Sequence, residues 1–216
     1  MTSAFVRARR PEHKQQRREA ILAAARELAL DSGVRNVSLA AVADAVGLAK
    51  SNIMRYFGTR EEIYLILAAD EWRQWSEAIA DRLGDCDGTG DVVTALAETL
   101  TDRPLFCDLM SHTTTTLEHN VSVPAARTFK RAVLSVIAAV GTLISQVTEL
   151  TESEGVELAS AATGLAGMLY PVTHPSPTMI ELYAQDPDIA AACPQMVPTL
   201  TRALSALAAG LPALRG

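Results

Sequence analysis

Aromatic residues are scarce: Phe, Trp and Tyr make up only 5% of the 216 residues. Alanine and leucine dominate an apolar fraction of 49%. Both are strong helix formers, so helices are favoured over strands. Cysteine is also sparse. Cys86, Cys107 and Cys193 are odd in number, scattered, and form no CxxC pair, which excludes a disulfide framework or a zinc ribbon. Long apolar runs are missing. The longest, AVLSVIAAVGTLI from Ala132 to Ile144, has 13 residues, fewer than the roughly 20 needed to span a bilayer. The basic N-terminus is not followed by the apolar stretch of a secretory signal. These absences predict a soluble, cytoplasmic protein without a membrane partner. A glycine-rich phosphate loop, a nucleophile elbow and a catalytic carboxylate pair are missing too. The expectation is therefore a protein that is not an enzyme and carries no cofactor.

What is present is a division of charge. The net charge of −6 hides a basic head on an acidic body. Residues 1–60 hold 11 Lys and Arg against 5 Asp and Glu, leaving 8 and 20 for residues 61–216. Such a split points to a polyanionic partner for the head alone. A chain of this length can bury a small domain fused to a medium one.

Hydrophobic spacing and capping residues predict an all-α fold. Residues 1–13, with RARRPEH, read as a flexible basic arm in which Pro11 interrupts any helix. Residues 14–31 read as a first helix, with Ile21, Leu22, Ala25, Leu28 and Ala29 at helical spacing and Gly33 as the stop. Ser38 caps a short helix, SLAAVADAV, that Gly47 ends. AKSNIMRYF is a second short helix. Thr59 with Glu62 reads as a capping box that opens a long helix to about Leu83. Further helices are expected over Asp91–Leu100, Pro104–Leu117, Pro124–Thr148, Glu152–Tyr170 and Val197–Ala209, with a second capping box at Thr151 and Glu154. The domain boundary falls near Arg60–Glu61, giving a helix-turn-helix domain over 14–60 and a larger helical domain over 61–216.

Two short helices around a glycine-centred turn form a helix-turn-helix, whose second helix can lie in the DNA major groove. On that helix Ile53 and Phe57 share the inward face. Ser51, Met54 and Arg55 point away from it, flanked by Lys50, Asn52 and Tyr56. Lysine can donate to guanine edges, while serine, asparagine and tyrosine can donate to bases or phosphates. Arg17 and Arg18, beside the basic arm, are candidates for the DNA backbone or the minor groove.

Residues 17 to about 65, RREAILAAARELALDSGVRNVSLAAVADAVGLAKSNIMRYFGTREEIYL, resemble the DNA-binding domain of the tetracycline-repressor (TetR) family. The features that carry the resemblance are the first helix ending in DSG, the VSLAAVADAVG helix and the YF-GTREE tail. The segment RPLFCDLMSHTTTTLEHNVS, Arg103–Ser122, is similar to one C-terminal subgroup. The resemblance implies a homodimer on a near-palindromic operator, with Lys50, Ser51 and Met54 toward bases and Ser38, Asn52, Tyr56 and Arg60 on phosphates. Met54 stands where the family usually has tyrosine, and Arg60 where lysine is commoner. A thioether cannot donate a hydrogen bond, so Met54 either touches a thymine methyl or fills space against the neighbouring helix.

In the body, the resemblance implies a pocket for an unknown small-molecule effector. Candidate walls are Trp72, Trp75, Phe106, Met110, Leu117, Phe129, Met168 and Tyr170, with His112, Thr116 and His119 as polar anchors. His112 and His119, with Glu118 and Cys107 near, are too loose a set for a closed zinc site. Narrow apolar seams recur at Leu158, Ala162, Leu165 and Leu169, and at Val197, Leu200, Leu204 and Leu207. Two such helices from each of two chains would make a four-helix dimer interface. The leading expectation is a ligand-released repressor. The alternatives are an activator of the same fold and an architectural DNA binder indifferent to sequence.

Overall fold

A computed structural model describes residues 4–215, with side chains from Glu12 onward. Among these residues the regular structure is helical and no strand occurs, as the composition predicts. The head comprises α1 (Ala4–Ser32), a 3-10 turn (Val34–Asn36), α2 (Leu39–Ala45) and α3 (Lys50–Ile53). The body begins with α4 (Arg60–Leu83), α5 (Thr89–Thr101) and α6 (Pro104–His112). A π-helical turn (Thr113–Leu117) leads to α7 (Val123–Val147) and α8 (Glu152–Thr173). The chain ends with α9 (Pro177–Gln185), α10 (Pro187–Ala191), α11 (Met196–Gly210) and a 3-10 turn (Leu211–Leu214).

Several boundaries differ from those predicted. α1 begins at Ala4, so the backbone from residue 4 is helical and Pro11 does not interrupt it. Proline forfeits one backbone hydrogen bond, which a long helix tolerates when its neighbours are good helix formers. The side chains of Arg7, Arg9 and Arg10 lie outside the described residues. The helix expected over Pro104–Leu117 changes type at Thr113. There Thr113 Oγ donates to the Leu109 carbonyl at 2.7 Å and Thr115 Oγ to that of Ser111 at 3.3 Å. β-branched residues with hydroxyls that bond back to the preceding turn loosen a regular helix. Between Pro171 and Met196 lie two short helices, α9 and α10, neither with a buried residue.

One capping box forms as expected. Thr151 Oγ accepts the Glu154 N–H while Glu154 accepts the Thr151 N–H at 2.7 Å. At the other, Thr59 Oγ accepts the Glu62 N–H, but the Glu62 carboxylate turns to the Gly58 N–H at 2.9 Å and to Ser122 Oγ at 2.8 Å. It thereby ties the end of the head to the start of α7.

The head core consists of Ile21, Ala25 and Ala29 of α1 with Val34, Val37, Val42, Ile53 and Phe57, all buried. In the body, α4 runs along α5, α6 and α7, and α8 is enclosed by α6, α7 and α11. Trp72 packs edge to face on Trp75 and Phe106, which are tilted to each other, with ring centroids 5.1 to 5.9 Å apart. Trp75 donates its indole N–H to Thr99 at 3.2 Å. α7 and α8 meet at Gly141 and Gly155, where a methyl group on Gly155 would fall on the Gly141 carbonyl oxygen.

The seam assigned to a partner chain is largely used within this one. Leu158, Ala162, Leu169, Leu200 and Leu204 are buried, and Leu165, Val197 and Leu207 are half-buried. A stripe at spacings of three and four marks any buried helix face, whether it packs on its own chain or on another. Among the residues α8 leaves outside are Glu157, Ser160, Gly164, Met168 and Val172, with Ala161 half-covered. α11 leaves Arg202, Ser205, Ala206 and Ala209 outside.

Two helices, Val123–Val147 and the stretch Met196–Leu214, are long and apolar enough to cross a membrane by length and composition, with mean hydropathy of 1.4 and 1.2. This corrects the reading from the longest run, which stops at Arg131 and at Ser145–Gln146, because an average over a longer window absorbs a few such polar residues. Both pack within the bundle, α7 on α4 and α8, and α11 on α5 and α8.

Two outcomes are expected. Gly155→Ala should lower stability by about 1–3 kcal/mol, because α7 and α8 must separate to admit the methyl; an unchanged denaturation midpoint would contradict the close approach. Glu154 also carries the Arg215 guanidinium at 2.8 Å, which, with the Thr151 N–H, holds its pKa down at about 2. Its contribution is present above the ordinary value of 4.5 and is lost as pH falls through about 2. The stability gap between wild type and Glu154→Gln should therefore hold steady above about pH 5 and shrink as the solution is acidified.

Candidate DNA interface and effector cleft

The reading surface is built on a four-residue helix. Ser38 Oγ accepts the Ala41 N–H at 3.1 Å and opens α2, and Gly47, at φ 65°, turns the chain toward α3. That backbone conformation favours glycine. The helix expected over Lys50–Tyr56 is regular only to Ile53 and continues as turns, with the Phe57 N–H reaching the Ile53 carbonyl at 3.1 Å. Ile53 and Phe57 are buried, as their spacing predicts. Lys50, Ser51, Asn52, Met54 and Arg55 are exposed, and Tyr56 is half-buried. Met54 is 53% exposed, so it does not fill a gap against the neighbouring helix.

Two grooves flank this surface. One, of about 540 Å³, is lined by Lys14 and Arg17 of α1 with Leu48, Asn52, Arg55 and Tyr56. Three cations around an asparagine and a tyrosine suit a phosphate backbone. Arg18 instead lies over the Phe57 ring at 4.6 Å, a cation–π contact that also steadies α3. The second groove, of about 550 Å³, brings Arg35, Ser38 and Thr59 beside Lys50 and Met54.

Arg60, predicted to hold a phosphate, is engaged within the head in the free protein. Its Nε donates to the Val37 carbonyl at 2.6 Å, its Nη2 donates to the Val34 carbonyl, and its guanidinium covers the Tyr64 ring. These carbonyls belong to the first residue of the 3-10 turn and to its C-cap, so Arg60 supports that turn from α4. The opposite face of that turn is held from the body. Gly33, at φ 83°, presents the Val34 N–H to the Asp108 carboxylate of α6 at 2.7 Å. Asp108 is 8% exposed, and its other oxygen lies 3.5 Å from His112 Nε2.

The candidate pocket residues scatter. Trp72, Trp75, Phe106 and Phe129 are buried core. The indole N–H of Trp72 finds no partner among the described residues. Met168, 62% exposed, points out of the body instead of into a pocket. Met110 packs against Gly167, and Tyr170 stacks on His174 at 4.2 Å. His119 is exposed. Around a described cavity, His112, Thr116 and Leu117 come together, and they do so at the border with the head. There they line a cleft of about 330 Å³ with Val34, Arg35 and Arg60. Cys107, one turn before, is buried, and burial pushes its thiol up to about 12.

Sequence reasoning missed Arg35 and Asp108. A basic residue just ahead of the Ser38 cap is a usable signal for Arg35. Nothing in the sequence pairs Asp108 with a backbone N–H 74 positions away.

A small head that presents donors on an anchored, exposed helix, joined to a helical body, defines a helix-turn-helix DNA-binding protein. Residues 21–67 match the family model described as bacterial regulatory proteins, tetR family. Residues 69–215 match the one described as tetracyclin repressor-like, C-terminal domain. The chain belongs to the TetR family of transcriptional regulators. No curated protein matches the sequence. Among solved structures, FadR from Thermus thermophilus in complex with lauroyl-CoA is similar at 16% identity and TM-score 0.56, over 92% of this chain and 96% of that one. FadR from Bacillus subtilis in complex with stearoyl-CoA is similar at 13% identity and TM-score 0.54, over 89% and 98%. RolR in complex with resorcinol is similar at 15% identity and TM-score 0.53, over 91% and 96%. At these identities the likeness speaks to the fold.

Because its donors face carbonyls of the head, Arg60→Ala should destabilise the protein by about 1–3 kcal/mol. Thermal and urea unfolding would show this without any DNA present. A variant of unchanged stability that loses only DNA affinity would return Arg60 to the phosphates.

Proposed function

We propose that the protein is a cytoplasmic, homodimeric repressor that holds a near-palindromic operator and is released from it by a small-molecule effector. The observation that carries the DNA reading is the exposed set Lys50, Ser51, Asn52, Met54 and Arg55 on a short helix pinned by Ile53 and Phe57. A helix fixed on one face and bearing donors on the other is what the major groove accepts. Lys50 and Ser51 read bases. Arg17, Asn52, Arg55 and Tyr56 line the phosphate side, with Ser38 on the opposite flank. Met54 offers an apolar contact for a thymine methyl.

A two-fold operator calls for a two-fold protein. The outer faces of α8 and α11, with Ala161, Gly164 and Met168 on one and Ser205, Ala206 and Ala209 on the other, supply the small residues that let helices of two chains approach closely. An effector is supported by the complexes of FadR with acyl-CoA and of RolR with resorcinol, proteins of the same fold. An effector acts by preferring one relative placement of body and head.

The test is selection of bound duplexes from a random pool, followed by affinity measurements across salt concentrations. A near-palindrome should emerge, with affinity falling steeply as salt rises. Equal binding to every duplex would overturn the proposal. With the operator in hand, Lys50→Ala should cost about 1–3 kcal/mol and relax one base position in each half-site. Repeating the selection with Met54→Tyr should change the preference at the position now expected to be thymine.

A further inference from the structure

The body contributes no cation-lined chamber of its own to the described cavities, and its predicted aromatic walls form packed core. The cleft at the border has a different character. It lies between the 3-10 turn of the head and the π-helical turn of the body, so both domains form its walls. Val34 and Leu117, 1% and 0% exposed, form an apolar floor, Thr116 offers a hydroxyl, and His112, Arg35 and Arg60 bring N–H donors. Its volume of about 330 Å³ falls at the small end of the range of roughly 300–1,000 Å³ usual for ligand sites. π-helical turns interrupt helices frequently at functional sites.

The local charges decide what this cleft can take. Arg60 is committed to two carbonyls and lies 3.4 Å from Glu61. His112 faces Asp108. Arg35 is exposed and forms no ion pair among the described residues. One uncommitted guanidinium beside apolar walls fits a single negative charge on an apolar body.

We propose that this cleft binds a compact monocarboxylate, with Arg35 taking the carboxylate, Thr116 and His112 beside it, and Val34 and Leu117 covering the apolar part. This deepens the effector reading above and rests on it for its regulatory meaning. Arg35 also lines the groove that holds Lys50 and Met54. A carboxylate in the cleft draws Arg35 away from the DNA side and wedges against the turn that Asp108 and Arg60 hold. One residue then serves two anions that exclude each other.

The four histidines, His13, His112, His119 and His174, provide the readout. Imidazole signals are followed by NMR while octanoate is added to the full-length protein, with 1-octanol as the neutral control. Octanoate should shift the His112 signal saturably, and 1-octanol should not. Arg35→Ala should raise the half-saturating concentration at least tenfold, Arg35→Lys should restore most of it, and Thr116→Val should raise it about threefold. A silent His112, an equal response to 1-octanol, or an unchanged midpoint in Arg35→Ala overturns the site. Operator binding is measured on the same samples. Specific operator binding with a silent His112 removes the cleft and leaves the regulator. Indiscriminate duplex binding removes the regulator, while the His112 titration still decides the cleft.

Discussion

Buried carboxylates hold the two halves of the molecule in register: Glu71 of α4 takes the Arg26 guanidinium of α1, and Asp108 takes a turn of the head. Asp108, on α6, accepts the backbone N–H of Val34 on the far side of the domain boundary. An unpaired buried N–H or carboxylate is costly, so each group fixes the other. The turn it grips is gripped again from α4, where Arg60 donates to the carbonyls on either side. A further tie runs through Glu62: burial raises its pKa, but the Ser122 hydroxyl and then the N–H groups of Gly58 and Ser122 outweigh burial and hold its carboxyl below the usual range. The head is therefore oriented by directional polar bonds together with an apolar core that continues from Ile21, Ala25 and Val34 into Tyr64, Leu109 and Leu117 of the body.

That arrangement makes the border between head and body the mechanically sensitive place. The body's centre is filled by Trp72, Trp75 and Phe106 at close ring distances, and packed interiors move as units. A ligand that inserts among them must displace aromatic rings. A ligand at the border need only rearrange the few bonds around one short turn. The π-helical turn lies on the same border and makes such rearrangement less costly, because its hydrogen bonds are already irregular.

Local signals were legible in the sequence. The Ser38, Thr59 and Thr151 caps, the Gly47 turn and the inward pair Ile53 and Phe57 all depend on residues within a few positions of one another. The all-helical class followed from the shortage of aromatics and the abundance of alanine and leucine. The exposed reading face followed from the same 3.6-residue period. Distant pairings were not legible. Arg60 shows the limit: the sequence places it in the right turn but does not reveal that two backbone carbonyls await its donors. The same holds for Leu158 and Leu204, whose spacing identifies a buried face without saying which chain buries it. Met168 was misplaced because helical period alone does not say which side of α8 faces the bundle.

The meeting of Gly141 and Gly155 has a mechanical meaning as well. Where side chains separate two helices, rotamers can yield and absorb a small displacement. Here the Gly155 backbone rests directly on that of Gly141, with only the short β-branched Val156 side chain beside them. α7 and α8 are thus welded at one point into a lever arm. A tilt imposed at the Ser122 end of α7 would reach the outer face of α8 with little lost on the way, so the surface proposed to meet a second chain would register what happens at the head.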